Sequence, residues 1–251
     1  MLLLTLVLST LLATDSLTPG DHTRTLQHDG RARSYIVHVP PKYDAKPTPV
    51  VLAFHGGGSN AEQMVRFCGL NEKADKEGFI VVYPNGTGRI ERMLTWNGGN
   101  CCAYAMWNNV DDVGFTRALL DDLATVANID TKRVFATGIS NGGIMCYRLA
   151  SELSDRIAAI ASVAGTMGVK TCNPKRPVPV MHFHGTEDKF LPFKGGIGER
   201  SLAQVVFISV DQTIQTWVKA DGCFARAISP PGKARIFWKW RRKVCVPQDD
   251  R

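Results

Sequence analysis

The stretch that decides the fold reads VFATGISNGGIMCYRLA and covers residues 134–150. Its first four residues form a short apolar run typical of a buried strand, and residues 143–150 continue with the pattern of a helix. Between them, Ser140 has a glycine two residues away on each side. A serine on a sharp strand-to-helix turn needs such small neighbours, because its backbone is held in a strained conformation. The pattern predicts a nucleophile elbow with Ser140 at its tip.

Further apolar runs place this turn within an α/β domain. Helical periodicity marks residues 111–127 and 213–219. An alternating strand is predicted at residues 34–39, and buried strands at 50–54, 79–83, 157–163 and 178–183. Strands that alternate with helices predict a mostly parallel sheet with helices on both faces. No internal repeat or linker divides the chain, so we expect a single domain over residues 19–223.

Serine-based acyl transfer also needs donors for the developing oxyanion. The backbone N–H of Asn141, directly after the serine, is one candidate. The second is Gly57, in the HGGG loop of residues 55–58 that follows a buried strand. The G-K-[ST] signature of a phosphate-binding loop is missing there. We interpret His55 as a residue that shapes this loop rather than as a base.

The acid that orients the base is predicted to be Asp188. It follows the strand at residues 178–183 and comes after the serine, which agrees with the chain order Ser, Asp, His. Glu187 is the neighbouring alternative.

The general base is the part that the sequence does not supply. All six histidines lie at or before position 184, whereas the expected order requires one after Asp188. His184, and beside it His182, remain as stand-ins, although a histidine in or at the end of a strand is more often a packing residue. The base is therefore left unassigned.

Five motifs together carry a resemblance to a known family. The chain is similar to the secreted polyhydroxybutyrate depolymerase and feruloyl esterase family, from about residue 34 to residue 223, through HGGG (55–58), WNGGNCC (96–102), VDDVGF (110–115), GISNGG (138–143) and HGTED (184–188). The resemblance implies the α/β-hydrolase fold. It also implies the nucleophile and acid roles for Ser140 and Asp188, and polyester or hydroxycinnamoyl and related esters as substrates.

The C-terminal part departs from that family. Its members continue past the segment matching residues 221–223 to a further strand and a glycine-rich loop with a histidine before Trp-Pro. Residues 224–251 contain no histidine and hold eight Lys/Arg and two Asp, a net charge of +6 out of +7 for the whole chain. We expect the last strand and the histidine loop to be absent, because the gene product is frameshifted or truncated. A genuine basic and aromatic tail that binds an anionic surface is the alternative. If the tail does fold onto the domain, residues 234–240 are the segment that would fill the vacant place beside residues 178–183.

The N-terminus predicts export. Residues 1–13 form an uncharged apolar run of signal-peptide type, too short to span a membrane, and we expect a leader over residues 1–18. A buried N-terminal segment is the alternative.

Seven cysteines are numerous for a reducing compartment and indicate disulfides, although their pairing is left open. A secreted or periplasmic location follows.

These observations predict a serine carboxylic-ester hydrolase that acts through an acyl-enzyme at Ser140, impaired as the chain stands. A non-catalytic protein that binds polymer or glycan esters is the competing hypothesis. No metal or organic cofactor is required. Without the tail, residues 1–223 carry a net charge of only +1, which argues against a nucleic-acid partner. The expected partner is the ester substrate, with no stable membrane insertion once the leader is removed.

Overall fold

The computed structural model describes residues 16–223 and a two-residue strand at 236–237. The strands are β1 (Gly20–His28), β2 (Arg31–Val39), β3 (Thr48–Phe54), β4 (Ile80–Pro84), β5 (Ile129–Ile139), β6 (Ala159–Val163), β7 (Val180–His184) and β8 (Ile236–Phe237). The helices are α1 (Ala61–Cys68), α2 (Leu70–Glu77), α3 (Ala103–Trp107), α4 (Asp112–Val126), α5 (Asn141–Glu152) and α6 (Val210–Ala220). Each strand and helix predicted from the sequence is present.

The strands form one sheet in the order β1-β2-β4-β3-β5-β6-β7-β8. The five strands from β4 to β7 run parallel, while β1, β2 and β8 are antiparallel to their neighbours. This is the mostly parallel sheet of the α/β-hydrolase fold, as predicted. Because β5, β6 and β7 are parallel neighbours, the loops that follow them leave the same edge of the sheet.

Both faces of the sheet are buried at its centre, where alternate residues of a strand enter different cores. In β3, Leu52 and Phe54 belong to the larger core, which includes side chains of α4 and α5. Ala53, between them, belongs to the smaller core with Met64 of α1 and Ala74 of α2. The continuous apolar runs of β3 and β4 follow from this double coverage.

The hairpin of β1 and β2 was not predicted as a unit. Its turn is formed by Asp29 and Gly30, which both have positive φ angles, 49° and 69°. Asp-Gly is the preferred pair for such a two-residue turn, so this signal was present in the sequence. β1 was missed because its residues alternate between intermediate and exposed and include few apolar side chains.

The far edge of the sheet differs from expectation. A last strand was expected to be missing, but Ile236 and Phe237 pair antiparallel with His184 and Phe183 at the end of β7. The alternative that part of the tail pairs with this edge agrees with that strand. The remaining tail, residues 224–235 and 238–251, and most of the expected leader, residues 1–15, lie outside the described residues.

Two structural features relate to the predicted export: the state of the cysteines and the character of the helices. Cys68, Cys146 and Cys172 carry free thiols, and the sulfur atoms of Cys101 and Cys102 are placed in contact. None of the helices in residues 16–223 combines the length and apolar character needed to cross a membrane.

Close packing of the elbow against β3 yields a stability prediction. A Cβ on Gly142 would lie against the Phe54 carbonyl oxygen and 2.6 Å from that of His55, so Gly142→Ala must push α5 away from the sheet. We expect a loss of about 2–3 kcal/mol in the free energy of unfolding, or a fall of roughly 5–10 °C in Tm.

Gly185→Ala is the control for this prediction. A Cβ at Gly185 meets no atom within 4 Å, so the same substitution is expected to change stability by less than about 0.5 kcal/mol. Thermal unfolding of both variants measures the difference. Equal Tm values for the two variants would contradict the packing described for α5.

Candidate active site

Ser140 occupies the turn between β5 and α5, as the sequence predicts. Its φ and ψ angles are 55° and −120°, a conformation that non-glycine residues rarely adopt. The turn is held from both sides, since the Ser140 N–H donates to the Val163 carbonyl at 2.8 Å and its own carbonyl accepts from Ile144 at 3.0 Å. The side chain is partly exposed at the N-terminus of a 12-residue helix, where the helix dipole favours negative charge.

The glycine loop after β3 lies directly against this turn. A Cβ built on Gly56 would be 3.8 Å from the Ser140 Cβ, and one built on Gly57 would be 3.5 Å from the Asn141 Cβ. The backbones of Gly57 and Asn141, the two candidate oxyanion donors, are therefore next to each other and beside the serine.

His55 is enclosed by this loop. It is fully buried, its Nδ1 donates to the Gly56 carbonyl at 2.7 Å, and its Nε2 accepts from the Gly86 N–H at 3.1 Å. Burial lowers its pKa to about 4, so the ring is neutral at pH 7. One ring nitrogen is engaged within the glycine loop and the other by the segment after β4, which fits the interpretation of His55 as a shaping residue.

Asp188 follows β7 in a tight turn. Its Oδ1 accepts from the Phe190 and Leu191 N–H groups at 2.8 and 3.0 Å, while Oδ2 lies 3.6 Å from His184 Nε2. No hydrogen bond to Oδ2 occurs within residues 16–223. The strands that carry Ser140 and Asp188 are separated by β6, which puts them roughly 10 Å apart at the strand ends. Bridging that distance requires a further side chain.

His184 is part of a directed chain of hydrogen bonds. Its Nε2 is 2.8 Å from the Leu191 carbonyl, which only accepts, so Nε2 carries the proton. The other ring nitrogen of His184, Nδ1, lies 3.2 Å from His182 Nε2, and His182 Nδ1 lies 2.9 Å from the Tyr147 hydroxyl. Both nitrogens of His184 are engaged in this chain, and neither makes a hydrogen bond to Ser140.

The other histidines are also engaged elsewhere. His22 contacts the Thr18 carbonyl, His28 contacts Asp111, and His38 lies between Asp21 and Asp75. None of the six histidines, which all belong to the described residues, shares a hydrogen bond with Ser140.

The WNGGNCC segment (96–102) holds the elbow in place, and the VDDVGF segment (110–115) supports it in turn. Trp96 makes two backbone hydrogen bonds with the Asn141 side chain, and Asp112 accepts from the Asn97 N–H. Sequence reasoning assigned no role to Trp96 or Asp112. The only available signal was their place in the WNGGNCC and VDDVGF motifs. Within residues 16–223, no group of three or more His, Cys, Asp or Glu side chains is arranged to hold a metal ion.

The buried His182 makes stability depend on pH. Burial, and to a lesser degree His184, lowers the pKa of His182 to about 3, whereas an unfolded histidine titrates near 6.5. Its stabilising effect is complete above pH 6.5 and is lost as the pH falls towards 3. Between pH 7 and pH 5 we expect this ring alone to lower the free energy of unfolding by about 2 kcal/mol. Urea denaturation of the original chain and of His182→Gln at both pH values isolates this contribution, because the other titrating groups are common to the two proteins. An equal loss of stability at pH 5 in the two proteins would contradict the neutral buried ring.

The sheet, the strained turn and the adjacent glycine loop define the chain as an α/β hydrolase. Comparison with known proteins is more specific. The family model described as Esterase PHB depolymerase matches residues 33–193, and the chain belongs to that family.

Several curated relatives are esterases. The chain is 33% identical over 210 residues to the putative esterase NocK of Nocardia uniformis subsp. tsuyamanensis, over 78% of this chain and 59% of that protein. It is 30% identical over 198 residues to feruloyl esterase B of Piromyces equi, over 76% of this chain and 36% of the relative. The chain thus spans little more than half of the first relative's length and about a third of the second's.

Solved structures agree on the fold. The native structure of sOPH superposes with a TM-score of 0.58 at 21% identity, over 81% of this chain and 76% of that one. The acetyl xylan esterase from Aspergillus awamori gives a TM-score of 0.50 at 17% identity, over 61% and 57% of the two chains.

Proposed function

We propose that this protein is a serine carboxylic-ester hydrolase that forms an acyl-enzyme at Ser140. The observation that carries the proposal is the strained turn of Ser140 at the start of α5, with the glycine loop beside it. Membership of an esterase family supports the same reaction.

In the proposed reaction the Ser140 Oγ attacks the ester carbonyl carbon and its proton passes to a base. The carbonyl oxygen becomes negative and accepts from the N–H groups of Gly57 and Asn141. The tetrahedral intermediate expels the alcohol, which takes up a proton. Water then attacks the acyl-enzyme and releases the carboxylic acid and the serine. Asp188 has the role of orienting and stabilising the base through Oδ2.

We further propose that turnover is slow in this chain as it stands. The serine hydroxyl and Asp188 Oδ2 make no hydrogen bond to a histidine among the described residues, and His184 uses both of its nitrogens in the chain from Tyr147 to Leu191. Without a base, only the oxyanion site and substrate binding contribute to catalysis, and these alone accelerate ester hydrolysis modestly.

The proposed substrates are polyesters or esters of hydroxycinnamic and related acids. The name of the matching family, the feruloyl esterase B relative and the resemblance of the five motifs support this class. We propose a secreted or periplasmic location, on the basis of the apolar run at residues 1–13.

Hydrolysis of p-nitrophenyl butyrate by the purified chain tests the proposal. We expect slow turnover above the uncatalysed rate, with a further decrease in Ser140→Ala. The same pair of proteins is then assayed with methyl ferulate and with a suspension of polyhydroxybutyrate. No turnover of any ester by the folded chain would reject the proposal.

A non-catalytic ester-binding protein is the second candidate, favoured by the lack of a histidine hydrogen-bonded to Ser140. It predicts that methyl ferulate binds with the same affinity to the original chain and to Ser140→Ala, and that neither releases ferulate. Equilibrium dialysis with the ester, followed by chromatography for the acid, separates the two candidates.

A further inference from the structure

The side chain of Asn141 is locked onto the backbone of a distant residue. It is only 2% exposed, and its Oδ1 accepts from the Trp96 N–H at 2.7 Å while its Nδ2 donates to the Trp96 carbonyl at 3.0 Å. The side-chain amide thus pairs with the N–H and the carbonyl of Trp96, as the backbone of a neighbouring β-strand would. Since the Asn141 N–H is a proposed oxyanion donor, the position of Trp96 determines where that donor points.

Trp96 also contacts the segment that carries the other donor. Its indole Nε1 donates to the His55 carbonyl at 3.0 Å, and its ring packs edge-on against Phe54 with 5.1 Å between centroids. His55 lies two residues before Gly57. One residue therefore joins the two halves of the proposed oxyanion site.

The next residue, Asn97, anchors Trp96 to a buried carboxylate. Its N–H donates to Asp112 Oδ2 at 2.8 Å, and its carbonyl accepts from Arg148 Nη1 at 2.7 Å. Its side-chain Nδ2 donates to the Val110 carbonyl at 3.1 Å, just before α4. The Trp96–Asn97 segment is thus attached to the start of α4 through Asp112.

Asp112 is itself held by a buried arginine. It is 0% exposed, and its Oδ1 accepts from Arg33 Nη2 at 2.7 Å. Arg33 is 3% exposed and its guanidinium lies 3.9 Å from the centroid of the Phe115 ring. Within the described residues, its Nε and Nη1 are buried without a hydrogen-bond partner. An ion pair buried this deeply is often less favourable than apolar side chains of the same size, so stability alone does not account for it.

We infer that the Arg33–Asp112 pair is a positioning device for the oxyanion site, acting through the Trp96–Asn97 segment on both donors. Arg33 and Asp112 are positioning residues, because neither contacts the serine or the space where the ester would react. The inference rests on the proposed function. Beyond that function, it states that the rate of ester hydrolysis depends on the carboxylate of Asp112, which does not itself take part in the reaction.

Asp112→Asn tests this role, and Asp122→Asn is its matched control. Asp122 lies on the same helix and is held by Arg24 through two hydrogen bonds of 2.8 and 2.9 Å, but it contacts no residue of the site. We expect Asp112→Asn to lower kcat for p-nitrophenyl butyrate by about 10- to 100-fold with KM changed less than about twofold. Asp122→Asn should leave both values unchanged. An unchanged kcat in folded Asp112→Asn would overturn the inference.

A double variant covers the case in which Asp112→Asn does not fold. Arg33→Met with Asp112→Leu replaces the ion pair by apolar side chains, which buried pairs often tolerate. We expect this protein to fold and to show the same loss of kcat, since the Asn97 N–H has lost its acceptor. A folded double variant with full kcat would show that the pair has only a structural role.

Hydrogen exchange tests the coupling without any turnover. We expect the Trp96 amide and indole protons to exchange at least about tenfold faster in Asp112→Asn than in Asp122→Asn. If the original chain hydrolyses no ester, the proposed function fails, and this measurement still decides whether Asp112 holds Trp96. Equal exchange rates in the two variants would reject the positioning role.

Discussion

Ser140 in this chain is expected to react with a fluorophosphonate several orders of magnitude more slowly than the serine of a complete triad. A serine hydroxyl without a base is a poor nucleophile, and loss of the triad costs ~10⁴–10⁶ in rate. All six histidines have their partners elsewhere in the described structure, His184 among them. Labelling is followed by intact mass under excess probe, and the modified residue is located by peptide mapping.

Two controls make the labelling experiment decisive. Ser140→Ala should remove the slow labelling, which shows that the probe reads this residue and not a surface serine. Added imidazole should accelerate labelling of the original chain, because it can reach the partly exposed hydroxyl and act as an external base. Fast, stoichiometric labelling without imidazole would show that a base is already present. His184→Gln would then be the first variant to examine.

The sequence predicts the central strands and the elbow because their signals are local. β3 and β4 are buried on both faces and read as continuous apolar runs. The turn at Ser140 requires small neighbours, and a Cβ on Gly138 would come 2.6 Å from the Gly142 carbonyl group. Each of these requirements can be read within a window of a few residues.

The elements that were missed depend on tertiary contacts. α1 and α2 have eight residues each, and only Ala61, Met64 and Ala74 are buried in them. Helices this short are marginal in isolation and form because they pack on the sheet. β1 is similar, since its polar residues are ordered by pairing with β2 over all nine positions.

The residues of the candidate site likewise divide into those with a local sequence signal and those that depend on long-range contacts. Ser140, Asn141 and Gly57 could be proposed from the sequence because a strand, a turn and a glycine loop point to them. The contact between Trp96 and Asn141 spans 45 residues, and the one between Arg33 and Asp112 spans 79. No local pattern encodes such pairs. A buried arginine or aspartate also looks the same in sequence as an exposed one.

A C-terminal segment that supplies a histidine is expected to raise ester turnover strongly. By the resemblance, family members carry this residue in a glycine-rich loop after a last strand. In this chain the β7 edge is already paired with Ile236 and Phe237, so a replacement for residues 224–251 has a defined place to dock. We expect a histidine in that segment to bridge the Ser140 hydroxyl and Asp188, whose Oδ2 accepts no hydrogen bond within residues 16–223. Restoring the base should recover at least ~10³ of the lost rate.

The experiment replaces residues 224–251 with the corresponding segment of a family member and compares kcat/KM for p-nitrophenyl butyrate with that of the original chain. If a shifted reading frame beyond codon 223 encodes a strand and a Gly-Gly-His-x-Trp-Pro-like segment, that segment is the one to use. The same chimera with the introduced histidine changed to Ala is the matched control and should return to the original rate. Asp188→Asn in the chimera should also lose most of the gain, because the base then lacks its carboxylate partner. A folded chimera without any gain would mean that Ser140 and Asp188 are not arranged around the histidine position, and the non-catalytic binding role would take precedence.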